Sequence, residues 1–81
     1  MNTTAKRTPR VNRRDTEGMV ALAFQVATER GAAAYLQPTA YGWSLETSRS
    51  RFVGLGYLVV DLDGTVRRAT LDGLALVATI N

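Results

Sequence analysis

The chain has 81 residues, 46% of them hydrophobic, with ten basic against seven acidic side chains, a net charge of +3, and neither cysteine nor histidine. That length holds one domain. The missing residue types exclude disulfides, thiolate metal sites and histidine-based acid–base or metal chemistry. No apolar run approaches the ~20 residues that span a bilayer, and the charged N-terminus lacks the apolar stretch of a secretory signal. A soluble, cytoplasmic protein without a membrane partner is therefore expected.

The net charge divides unevenly. Residues 1–14 carry Lys6, Arg7, Arg10, Arg13 and Arg14 and no acid, a charge of +5. Residues 15–81 carry five arginines against seven acids, a charge of −2. A mildly acidic body thus bears a basic arm, and the two halves suit different surfaces. Nine arginines to one lysine, with eleven alanines, match the codon bias of a GC-rich genome. Residues 1–11 (MNTTAKRTPRV) are too polar to offset the entropy of ordering and read as a flexible basic arm. Residues 12–81 read as the single α+β domain. A body this small is marginal alone, and a homodimer is expected.

The first element is a helix capped by Asn12, with Asp15 and Glu17 in its first turns and Gly31 as its stop. At 100° per residue Leu22, Val26, Met19, Ala23, Ala27, Val20 and Phe24 form an apolar arc of roughly 200°, wider than one sheet contact requires. Its Val20–Phe24 edge is assigned to the dimer interface. Tyr35–Gln37 and Tyr41–Thr47 read as short strands, with Pro38 ending the first or making it an edge. Arg51–Val60 reads as a strand interrupted by a bulge or bend at Gly54 and Gly56. Asp63-Gly64, between Tyr57–Leu62 and Thr65–Leu71, is a hairpin signal. From Leu71 to Ile80 a helical and an alternating pattern compete, and the β-branched residues tip the reading to a strand. The expected fold is one amphipathic helix packed on an antiparallel sheet of three to five strands.

The segment Leu58–Val66 (LVVDLDGTV) resembles the first motif of haloacid dehalogenase-type phosphohydrolases. The resemblance implies Asp61 as nucleophile, Asp63 as acid/base, a magnesium ion between them and Thr65 near the phosphate. It covers nine of 81 residues, and 15 residues follow Val66. The Ser or Thr, the Lys and the second acid pair of the family's later motifs have no counterpart, since Lys6 lies far upstream. A hairpin turn accounts for the same letters. An EF-hand frame through Asp61, Asp63 and Asp72 puts Val66 where its glycine belongs. No activated serine and no glycine-rich phosphate cradle is present. No enzyme, metal or cofactor is expected.

Binding is the remaining class. The arm, through Lys6, Arg7, Arg10, Arg13 and Arg14, can meet phosphates or an acidic protein surface. Arg49 and Arg51 can extend it, and Trp43 offers an aromatic contact. At least three of Tyr35, Tyr41, Trp43, Phe52 and Tyr57 are expected in the core. The favoured function is an interaction or inhibitor protein that occupies a partner protein's surface, in the manner of small phage-encoded blockers of bacterial defence nucleases. The alternative is a nucleic-acid-binding accessory protein that uses the arm.

Overall fold

A computed structural model describes residues 12–49 and 54–80. One helix, α1 (Thr16–Arg30), precedes five strands: β1 (Ala34–Thr39), β2 (Gly42–Glu46), β3 (Leu58–Val60), β4 (Thr65–Thr70) and β5 (Gly73–Thr79). They form one antiparallel sheet in the order β2-β1-β3-β4-β5. This is the expected α+β fold, with the strand count at the upper end of the expected range. The assigned arm, residues 1–11, lies outside the described residues.

The helix starts later than the capping pattern suggests. Asn12 turns the chain instead: its side-chain oxygen accepts from the Arg14 N–H at 2.9 Å, and its carbonyl accepts from the Asp15 N–H at 2.9 Å. Asp15 holds the N-cap position in an extended conformation, without a side-chain cap bond. The reason is tertiary, because the Arg13 carbonyl is engaged by the Trp43 N–H at 2.8 Å and cannot join a helix. At the other end Gly31 stops the helix as expected, at φ 72°, with its N–H on the Ala27 carbonyl at 2.8 Å.

The apolar arc of α1 is sorted by its distance from the sheet. Met19, Ala23 and Ala27, four apart, are buried, while Val20, Leu22, Phe24 and Val26 flank them half-buried against the core. Two alanines at the contact let the helix approach Ala34, Leu36, Leu58, Val60 and Val66 closely. The aromatic expectation fails here. Tyr35, Trp43 and Tyr57 are only half-buried, Tyr41 is 77% exposed in the β1–β2 turn, and Phe52 lies outside the described residues. Strand alternation buries Ala34 and Leu36 and turns Tyr35 to the sheet face away from α1.

Pro38 sits within β1, opposite Trp43 of β2. It is tolerated because β3 pairs with β1 only through Ala34–Leu36, so Pro38 lies beyond that ladder. Of the predicted strand over 51–60, residues 51–53 lie outside the described residues, and among the rest Leu58–Val60 forms the strand, with Gly56 at φ 87° just before it. The Asp-Gly hairpin forms with a three-residue loop. The Asp61 N–H donates to the Thr65 carbonyl at 3.0 Å, and the Gly64 N–H returns to the Asp61 carbonyl at 3.1 Å. Gly64 takes the left-handed position at φ 87° that such a loop requires. The final segment is a strand, β5, with a bulge where Val77 is extra between the Val66–Ala78 and Arg67–Leu76 pairs.

The buried core is small, and Leu36 is fully enclosed between α1 and the sheet. Leu36→Ala is expected to lower unfolding free energy by about 2–5 kcal/mol, read as a lower denaturant midpoint in urea.

Candidate interaction site

The start of α1 is pinned to the β1–β2 hairpin by three contacts. The Trp43 N–H reaches the Arg13 carbonyl, and the Trp43 indole Nε1–H donates to Thr16 Oγ1 at 3.0 Å. Gly42, at φ 125°, supplies the third: a β-carbon there would collide with the Arg13 carbonyl. Trp43 therefore packs against the core and fixes the place where the basic segment leaves the body. Arg13 and Arg14 are exposed at that corner.

Beside the same corner lies an open cleft of about 340 Å³. Thr16, Glu17 and Val20 of α1 form one wall, and Leu58, Val66 and Ala78 lie along its floor with Arg68 and Val77 at the sheet side. The cleft exists because α1 lies mainly over β1, β2 and β3 and meets β4 chiefly at Val66, so that the face thins out toward β5 among the described residues. The recess is mainly apolar, with one acidic group, Glu17, and one basic group, Arg68, at its rim.

The predicted residues do not all converge here. Arg13 and Arg14 are exposed and precede Thr16, which lines the cleft together with Val20, but they are not themselves among its lining residues. Phe24 is half-buried against the core one turn further along α1. Arg49 is exposed near the opposite end of the helix. Arg30, the last residue of α1, reaches the Thr47 carbonyl at 3.4 Å, two residues before Arg49. A helix of 15 residues is roughly 22 Å long, so Arg49 does not extend the patch at the arm's root. Lys6, Arg7, Arg10 and Arg51 lie outside the described residues. Sequence reasoning passed over β5: Leu74 is 49%, Leu76 60% and Val77 46% exposed. The signal was present, since β5 carries no charge, but alternation alone implies that one face is covered.

Asp61 and Asp63 are used by their own turn. Asp61 Oδ1 accepts the Leu62 N–H at 2.7 Å. Asp63 Oδ1 accepts both the Thr65 N–H at 3.0 Å and the Thr65 hydroxyl at 2.7 Å, and Thr65 Oγ1 accepts from Arg67 at 2.7 Å. The hydroxyl bond from Thr65 leads in holding the Asp63 carboxyl below its ordinary value of 3.8, helped by the Thr65 N–H and the Arg67 charge. The strands around them are antiparallel, unlike the parallel sheet of the phosphohydrolases. Among the described residues no three acidic side chains converge as metal ligands would, and no helix is long and apolar enough to cross a membrane.

Gly42→Ala should loosen the arm's root and destabilise the fold by more than the ~1 kcal/mol that an unstrained Gly→Ala change adds, seen as a lower urea midpoint and faster hydrogen exchange at Trp43. Thr65→Val should raise the Asp63 pKa toward its ordinary value, followed by NMR titration of the side-chain carboxyl. A depressed native pKa adds stability above the ordinary value and loses it as pH falls through the native value, so the variant loses that contribution near neutral pH and converges with the parent in acid. Comparison with protein-family models, curated proteins and solved structures finds no match to this chain.

Proposed function

We propose that this protein works by occupying the surface of another protein. The cleft beside the start of α1 takes an apolar side chain of the partner, and the basic arm leaving the same corner takes the acidic groups around it. The observation that supports this reading is an apolar cleft floored by Val66 and walled by Val20 and by Thr16, which follows the exposed Arg13–Arg14 pair by two residues in the chain. Apolar anchors seated in a recess and ringed by charge are how small interfaces concentrate their affinity. A blocking inhibitor is the form of this function that suits a chain of this size, and small phage-encoded proteins that silence defence nucleases are an example. The reading places its action in the cytoplasm and assigns no catalysis.

Nucleic-acid binding through the arm is the second reading, favoured by the +5 charge of residues 1–14. Its weak point is Arg49, held roughly a helix length from the arm's root, which leaves the arm to bind without a contiguous basic face.

Two experiments separate them. Fluorescence anisotropy of labelled duplex DNA and single-stranded RNA is titrated with the full chain and with a chain beginning at Asn12, at low and near-physiological salt. The first reading expects little binding by either. Tight, salt-sensitive binding that vanishes on truncation would replace it with the second. In affinity capture, Val20→Glu should lower recovery of a partner at least tenfold (about 1.4 kcal/mol), whereas Ala21→Glu, exposed beside it, should not. Equal recovery by both variants would remove the cleft from the interface.

A further inference from the structure

We propose that β5 is a self-pairing edge. Two copies of the chain join β5 to β5 in antiparallel register and continue one sheet of ten strands. The interface is then the sheet edge, distinct from the Val20–Phe24 face of α1.

The two edges of the sheet are treated differently by the fold. β2 has five residues, ends in Glu46, and has its Trp43 N–H taken by the Arg13 carbonyl before α1 begins. β5 has seven residues, GLALVAT, with no charge and no proline. Its outer side has no neighbouring strand among the described residues. Charged residues, proline and covering segments are the usual means of keeping an edge from pairing. Among the described residues β5 has none of these. It has one bulge, at Val77, which leaves Gly73–Leu76 regular.

The occupant follows from the strand itself. Residues 1–11 are too polar to cover exposed leucines. An uncharged strand meets no repulsion from its own copy. In an antiparallel pair, residues directly opposite share a face, so a symmetric register must centre on one residue. Centred on Ala75, it sets Leu74 against the second copy's Leu76 and the reverse, two cross-strand leucine pairs from side chains now in water. Asp72 then falls opposite the far end of the copy's strand, and like charges do not meet.

Symmetry sets the rest. Antiparallel pairing of identical edges requires a two-fold axis perpendicular to the sheet, so both helices lie on one face. The β5 edges become neighbours, and the two clefts come to lie on either side of the joint between the helices, each floored by Val66 and Ala78. A strand contact alone falls short of the roughly 800 Å² per partner of a standard interface, so the pair is a concentration-dependent one.

Sedimentation velocity of the full chain over a wide concentration range should show a mass rising toward two chains. Leu76→Lys, at an exposed position, should stay monomeric over the same range, while Tyr41→Lys in the β1–β2 turn should dimerise like the parent. Circular dichroism checks that each variant is folded. Because the chain has no cysteine, Ala75→Cys puts a single thiol on the axis. Mild oxidation should link two copies through it, a result independent of whether Leu76→Lys folds. A parent chain that is monomeric throughout, with no Ala75→Cys crosslink, overturns the proposal. So does a dimer that survives Leu76→Lys but is lost in Phe24→Glu, which would return the interface to the helix. Mass and crosslinking are read without any partner, so failure here is separate from failure of the Val20→Glu capture experiment.

Discussion

A helix about 10 Å across covers two or three strands spaced about 4.8 Å apart, and this sheet has five. Much of what distinguishes the molecule follows from that mismatch. With α1 over β1, β2 and β3, the buried side chains run from Met19, Ala23 and Ala27 into Leu36, Leu58 and Val60. Beyond Val66 the same face has no cover among the described residues, which leaves the cleft with Val77 at its side, while Leu74 and Leu76, paired with Ala69 and Arg67, stand exposed on the face away from α1. The small alanine contacts keep the helix close to the sheet, at the expense of reach across it.

What decides which half is covered is the anchor at Trp43. Its backbone N–H holds Arg13 and its indole holds Thr16, so the start of α1 is tied to the β2 edge before the helix is under way. The tie covers that edge, shortens the helix by keeping Arg13 out of it, and sets the corner from which the basic segment leaves. A change there acts on packing and on the arm together. The Arg30 contact with Thr47 at the other end keeps α1 aligned along β2.

The acidic turn between β3 and β4 shows why a motif needs its surroundings. Nine residues can resemble a phosphohydrolase motif while serving a loop. Asp61 accepts a turn N–H, Asp63 accepts two bonds from Thr65, and Arg67 completes the chain on the same strand. Carboxylates engaged in this way stabilise a tight reversal between antiparallel strands. The proposed functions rest instead on shape and charge elsewhere in the molecule, at the arm's root and the uncovered half of the sheet.

The sequence by itself determined the local elements: a helix stopped by Gly31, strands where β-branched and aromatic residues alternate, a hairpin at Asp63-Gly64, and a charge divided between arm and body. These are legible because the 3.6- and 2-residue periods and the left-handed glycines act within a few residues. Only the tertiary structure decided that Asn12 makes a turn ahead of the helix, that Tyr35 and Trp43 remain half in water, that Arg49 stands far from Arg13, and that β5 is left bare. Each of those depends on how the helix sits on the sheet: which face it takes, which strands it covers and where Trp43 ties its start. Periodicity marks which side chains could be buried, but the width of the helix relative to the sheet sets which of them are.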